Sequence, residues 1–262
     1  MAENSKIEWT HHTGNLWWGC AKVHAGCDNC YAETLSKRTG SDIWGNDKAR
    51  KATKSVWSDF LKWQAMAADA GEVHRVFVGS MMDIFEKPMP VISWQGLPVI
   101  QDGDQITTES LRAKFFFEIV PNCPNLQFLL LTKRPSNINK MIPNSWLAGA
   151  PENVMFGTSV SDQETFKTLA PQLKKVNGYR FLSIEPQLAP IFLYKEDLKG
   201  IDWVIQGGES GAKKRPFSTD WAYSMRDDCM AYGVPYFFKQ IDKVRPIPAD
   251  LMIRQFPKTQ SL

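Results

Sequence analysis

Short apolar runs, each closed by a polar cluster, recur along the chain. They are Arg75–Gly79 (RVFVG), Gln127–Leu131 (QFLLL), Val154–Gly157 (VMFG), Arg180–Leu182 (RFL), Ile201–Ile205 (IDWVI) and Pro235–Phe238 (PYFF). Each is short and rich in β-branched or aromatic residues, which fits strands buried on both faces of a parallel sheet. An earlier run at Leu16–Trp18 adds a first strand. Between the runs lie helical patterns. Glu109–Val120 is apolar at helical spacing. Ser161–Val176 opens with SDQET, where Ser161 and Glu164 match a capping box. Thr219–Tyr232 has the same character, and Gly233 supplies a stop. Strands alternating with helices predict βαβ units with right-handed crossovers. The expected fold class is therefore α/β, a full or partial (β/α) barrel occupying residues 1–262 as one domain.

Three segments depart from this rhythm. Ser41–Lys54 is basic and glycine-containing, and reads as a loop. Residues 87–108 contain three Pro and two Gly, and read as a small hairpin or insertion. Residues 242–262 form an irregular tail.

Composition narrows the class. Of 262 residues, 43% are hydrophobic and 23% charged, so the chain can build a large core. The net charge of +3 permits contact with nucleic acid but does not argue for it. The N-terminal MAENSKIEWT lacks the apolar stretch of a signal peptide. No segment approaches the roughly 18 apolar residues of a membrane helix. The expected location is cytoplasmic, with no membrane partner, and in that reducing compartment five cysteines are not expected to form disulfides.

Three of those cysteines fall within eleven residues, in WGCAKVHAGCDNCYAE. Cys20, Cys27 and Cys30 are soft thiolate ligands suited to zinc or to an iron–sulfur cluster. A structural zinc site wants a fourth ligand, for which His24, His11 and His12 are candidates. Three cysteines on one loop leave one iron of a [4Fe–4S] cluster without a protein ligand. That open iron is what the amino and carboxylate groups of S-adenosylmethionine require.

The strand ends form the second signal. After the apolar runs come Ser80-Met81-Met82-Asp83, Thr132-Lys133-Arg134, Thr158-Ser159, Glu185-Pro186, Gly207-Gly208-Glu209-Ser210 and Lys239-Gln240. In a barrel of parallel strands all such ends share the face where active sites sit. Some have a plainer reading, since Ser159 and Asp162 suit helix caps. Gly207 and Gly208 suit either a tight turn or the close approach of a ligand to the backbone, with Glu209 as an acceptor. Lys133 or Arg134 suits a cofactor carboxylate. Lys213, Lys214 and Arg215 form a basic run that suits phosphate or plain solvation, and with Lys48, Arg50, Lys51 and Lys54, interleaved with Trp44 and Trp57, they suggest one rim of a nucleic-acid groove.

With these residues in view, the sequence resembles a phage-associated family of three-cysteine, radical-SAM-like proteins. The blocks are IEWT at 7–10, GC-x6-C-x2-CYAE at 19–33, FVGSMMDIF at 77–85, LLLTKRP at 129–135, GTSVSDQ at 157–163, LSIEPQL at 182–188, DWVIQGGESG at 202–211 and GVPYFFKQ at 233–240. The resemblance implies a (β/α) barrel of the radical-SAM type. It implies a [4Fe–4S] cluster on Cys20, Cys27 and Cys30, and S-adenosylmethionine cleaved to a 5′-deoxyadenosyl radical. Ser80, Met81, Thr132, Lys133, Ser159, Glu185, Gly208 and Glu209 are the expected cofactor contacts. The expected partners are a reductase or flavodoxin-type electron donor and a DNA or nucleotide substrate in the host cytoplasm. The chain departs from the commonest radical-SAM pattern. Six residues separate its first two cysteines, Asn29 precedes Cys30, and no Gly-Gly-Glu ends the second strand. The alternative is a zinc- or cluster-containing nucleic-acid-binding protein without catalysis.

Overall fold

Seven parallel strands form one curled sheet that closes half of a barrel. The computed structural model describes residues 5–257, so positions 1–4 and 258–262, the ends of the expected domain and tail, lie outside the described residues. Strands β1 (His12–Gly14) and β2 (Trp17–Trp18) precede helix α1 (Tyr31–Arg38). Strand β3 (Arg50–Ala52), helix α2 (Val56–Ala70) and strand β4 (His74–Val78) follow. Then come β5 (Val91–Ile92) and a hairpin of β6 (Ile100–Gln101) and β7 (Asp104–Gln105). Helix α3 (Thr108–Lys114) runs into a π-helical turn over Phe115–Ile119. The remainder alternates: β8 (Leu126–Thr132), α4 (Ile138–Met141), β9 (Val154–Ser159), α5 (Gln163–Leu173), β10 (Tyr179–Ile184), α6 (Lys195–Leu198), β11 (Trp203–Gly207), α7 (Thr219–Tyr232) and β12 (Tyr236–Gln240). The main sheet runs β1-β4-β8-β9-β10-β11-β12, with every neighbouring pair parallel.

Side-chain alternation explains why the strands read as continuous apolar runs. Val76, Val78, Phe128 and Leu130 face the core beneath the helices. Phe77, Leu129, Phe181 and Phe237 face a second core on the concave side, which Trp9 joins. Both faces are dry, so no strand position needs to be polar. Gly157 sits opposite Phe181 in the β9–β10 register, and the Phe181 ring occupies the space a Cβ there would fill.

The structure corrects the sequence reading at four places. The sheet begins at His12–Gly14, not at Leu16–Trp18, and Trp17–Trp18 pairs with β3 in a separate three-stranded sheet. The true first strand has no apolar run. Its His12 is instead covered by the Trp63 ring, stacked at 4.5 Å, and Phe60 packs where a Gly14 side chain would be. Second, the capping box of α5 is shifted by one residue. Asp162 accepts from the Thr165 N–H at 2.8 Å and Thr165 Oγ1 accepts from the Asp162 N–H at 3.1 Å. Ser161 belongs to the strand end, where its carbonyl accepts from the Leu188 N–H. Third, Ser41–Lys54 is not wholly a loop, because β3 lies within it. Fourth, no run in the pattern marks α2, whose Phe60, Trp63 and Ala67 bury one face of a 15-residue helix.

Candidate thiol-lined active site

The segments leaving the C-terminal ends of all seven sheet strands enclose one cavity of about 370 Å3. This is the face on which parallel barrels place their chemistry. Cys20, Cys27 and Cys30 line it, each half-buried and unoxidised. Cys123 and Cys229 are buried in the helix-side core instead.

Local chemistry shapes the cysteine loop. Gly19 has φ 117°, a conformation that L side chains rarely adopt, and its N–H donates to the Met81 carbonyl at 3.1 Å. The Cys20 carbonyl accepts from Gly45 N–H at 2.9 Å. Cys27 ends a 3₁₀ turn over Ala25–Cys27, capped by His24 Nδ1, which accepts from the Gly26 N–H at 3.1 Å. Gly26 packs on Ser161 Oγ, so a side chain there would collide. Cys30 is the cap residue of α1, and its carbonyl accepts from Thr34 N–H.

Two arginine–carboxylate pairs fasten this loop to the sheet. On the Cys20 side, Arg134 Nη1 donates to Asp83 Oδ2 at 2.7 Å and lies 3.9 Å from Cys20 Sγ, while Nη2 donates to the Ala21 carbonyl at 2.8 Å. Asp83 also accepts from Thr132 Oγ1, Lys133 N–H and Phe85 N–H. On the other side, Glu209 accepts from Arg215 Nη2 at 2.7 Å, from Arg215 N–H at 2.9 Å and from Asn29 Nδ2 at 3.0 Å. Arg215 Nη2 reaches back to the Ala25 carbonyl at 3.1 Å. Asp83 follows β4 and Glu209 follows β11, so the loop is pinned to two separated strands.

Electrostatics follow from this packing. Burial pushes the Cys20 thiol up to about 12, with Asp83 and Glu86 adding to the effect and Arg134 opposing it. Burial and the nearby Lys133 lower His24 to about 4, so its imidazole is neutral at pH 7. Glu209 is held below the usual carboxylate range. Burial pushes it up, but the hydrogen bonds from Arg215 and Asn29 prevail.

All eight expected cofactor contacts line the same cavity. Several of their polar groups are already engaged. Thr132 Oγ1 is bound to Asp83, and Ser159 Oγ donates to the Glu185 carbonyl at 2.8 Å. Ser80 Oγ accepts from Asn15 Nδ2 at 2.8 Å, and Met81 N–H donates to Asn15 Oδ1 at 2.7 Å. Glu185 is ion-paired with Lys239. Gly208 packs its Cβ side on Ile241 and Phe217, so its small size serves the strand end. Glu209 and Arg134 anchor the loop. Lys133 faces the cavity with no ion-pair partner for its ammonium among the described residues.

The histidines weighed as zinc ligands are placed elsewhere or occupied. His24 caps its own turn. His11 accepts from the Arg75 N–H and stacks on His74, and His12 contacts His74 at 3.0 Å. That group sits where β1 and β4 begin, whereas the cysteines follow the far end of β1. Among the described residues no three His, Cys, Asp or Glu side chains are drawn together as a ready-made metal site. The expected basic rim is only partly engaged within the chain, and Lys54 and Lys213 are exposed. Arg50 is 1% exposed and bonded to Glu86 at 2.8 Å, Lys48 pairs with Asp42, and Lys51 lies over Trp94.

Several cavity residues escaped the sequence reading. Trp9 and Phe77 line the cavity from the concave-face core, and Asn15 bridges Ser80 and Met81. Tyr31 reaches from α1 to the Ser80 carbonyl at 2.8 Å. Lys243 had no signal beyond its place after the last strand.

The fold and the cavity define a parallel α/β half-barrel with a cysteine-bearing loop over its C-terminal face. The chain belongs to the family described as "Protein of unknown function (DUF5131)", which matches residues 4–252. No curated protein and no solved structure matches it. Among the described residues no helix is long and apolar enough to cross a membrane.

Proposed function

We propose that this protein is a radical S-adenosylmethionine enzyme of partial-barrel type. The observation that carries the reading is the convergence of Cys20, Cys27, Cys30 and all eight expected cofactor contacts on one cavity at the C-terminal face. By residue type the donor set suits a thiophilic group, since three soft thiols sit on one short loop bordering the cavity. Cys20, Cys27 and Cys30 would hold a [4Fe–4S] cluster, and that cluster, once reduced by an external donor, supplies the electron for reductive cleavage of S-adenosylmethionine.

The chain's own residues have distinct tasks. Arg134 and Arg215 hold the two halves of the cysteine loop in place. Lys133 offers an ammonium to the cofactor carboxylate. Trp9 and Phe77 close the cavity on the concave side and exclude water.

The test is anaerobic reconstitution with iron and sulfide, reduction by dithionite and addition of S-adenosylmethionine, read as 5′-deoxyadenosine by mass spectrometry. Wild type yields it and Cys27→Ala does not. A colourless protein holding one zinc, or a four-iron protein that never cleaves the cofactor, overturns the reading.

A further inference from the structure

Counting the chain's own side chains, cations outnumber carboxylates on the cavity lining. Five cationic side chains line it: Lys22, Lys133, Arg134, Lys239 and Lys243. Every carboxylate on the lining is already matched. Asp83 holds Arg134, Glu185 holds Lys239, and Glu209 holds Arg215. Lys22 is paired with Glu33 at 3.2 Å. Lys133, half-buried, and Lys243, exposed, border the cavity without a counter-ion among the described residues.

These two cations are well apart in the fold. Lys133 follows β8 and Lys243 follows β12, with three strands between them in the sheet. The cofactor reading assigns Lys133 to a carboxylate, which leaves Lys243 for a second anion. The backbone at Lys243 is built rather than slack. It holds φ 65°, one of two non-glycine residues with positive φ among those described. An L residue in that conformation is strained, and such strain persists only where neighbours enforce it. Here Asp242 Oδ1 accepts from the N–H groups of both Val244 and Arg245, at 2.9 and 2.8 Å, and Asp242 Oδ2 takes Arg245 Nε at 3.1 Å. Lys214 adds a 3.5 Å ion pair to the same carboxylate. Asp242 is thus neutralised by its own turn and does not compensate Lys243.

We infer that the substrate of this cavity is anionic, carrying a phosphate that Lys243 binds while the remainder of the molecule enters toward the cysteine loop. A phosphate brings up to two negative charges and acceptor oxygens that suit a lysine point charge. Free nucleotides and single-stranded nucleic acid share this chemistry. The assignment rests on the radical reading only for the task given to Lys133; the anion site itself does not require a cluster.

The experiment is binding of adenosine 5′-monophosphate, adenosine and a short single-stranded oligonucleotide to the full chain, followed by tryptophan fluorescence, as purified and after reconstitution. Trp9 and Trp44 on the lining report occupancy. The phosphorylated ligands bind at least about tenfold tighter than adenosine, Lys243→Gln removes that advantage, and Lys243→Arg keeps it. Whether mononucleotide or oligonucleotide binds tighter identifies the source of the phosphate. Equal affinity for adenosine and its monophosphate overturns the inference, as does a Lys243→Gln variant that still prefers the phosphate. Iron content measured on the same samples scores the cluster separately, so the two readings fail independently.

Discussion

Arg134 Nη1 stands 3.9 Å from Cys20 Sγ and, through the same nitrogen, donates to Asp83 Oδ2 at 2.7 Å. One guanidinium therefore ties a thiol of the cysteine loop to a carboxylate at the end of a sheet strand. Asp83 is almost fully buried and Arg134 is 18% exposed, so the pair sits in a poorly solvated place. Removing one partner strands the other. Asp83→Ala is expected to cost about 3 kcal/mol in stability, seen as a lower denaturant midpoint.

The same contact predicts a selective effect on the loop. Arg134→Gln keeps a hydrogen-bonding group but loses the positive charge beside Cys20. After reconstitution and desalting it retains markedly less iron than wild type, while Arg134→Lys retains an intermediate amount. Equal iron in all three would show that the guanidinium does not position the loop.

The second clamp predicts a dependence on pH. Glu209 titrates below its usual range when folded. Its contribution is therefore complete above the unfolded value of about 4.3 and is lost as pH falls through the lower folded value. Protection of residues 24–30 against hydrogen exchange, relative to the intrinsic rate at each pH, should fall as pH drops through that lowered folded value. Glu209→Gln should already show low protection at pH 7 and no further loss from this group.

The buried pair of Arg50 and Glu86 makes a contrasting case. Both side chains are at most 3% exposed, and Glu86 also accepts from Trp17 Nε1 at 3.0 Å. Glu86→Gln leaves a guanidinium without its charge partner in the interior. The expected loss is about 3 kcal/mol in global stability. Neither residue lines the cavity, so nucleotide binding by the folded variant should match wild type.

Gly157 tests the sheet itself. The Phe181 ring fills the space of a Cβ at this position on the neighbouring strand. Gly157→Ala is expected to cost about 1–3 kcal/mol by overpacking. A compensating Phe181→Leu should recover part of that loss, which a double-mutant cycle would show.

Six of the seven sheet strands were legible because each is dry on both faces and so appears as a short apolar run. The alternation with helices then implied parallel strands, and parallel strands implied a common functional face. The strand ends so predicted, with the cysteine loop that the resemblance adds to them, contain eleven residues that line one cavity in the structure, Cys20 and Glu185 among them. β1 was illegible for the converse reason. His12 and Gly14 are buried by Trp63 and Phe60 of α2, which lie more than forty residues away in sequence.

Residue type, spacing and the alternation of strands with helices by themselves determined the α/β class, the cluster of three cysteines and the common face of the strand ends. They could not assign tasks within that face, since a carboxylate or a guanidinium in a sequence carries no record of its partner. Only the folded chain shows that Glu209 and Arg134 are consumed in holding the loop, that Thr132 is bound to Asp83, and that Lys133 and Lys243 have no counter-ion among the described residues. Those outcomes depend on distances of a few ångströms between residues up to 190 positions apart, such as Ala25 and Arg215. Pairing at that range is decided by how the strands curl and where their ends meet.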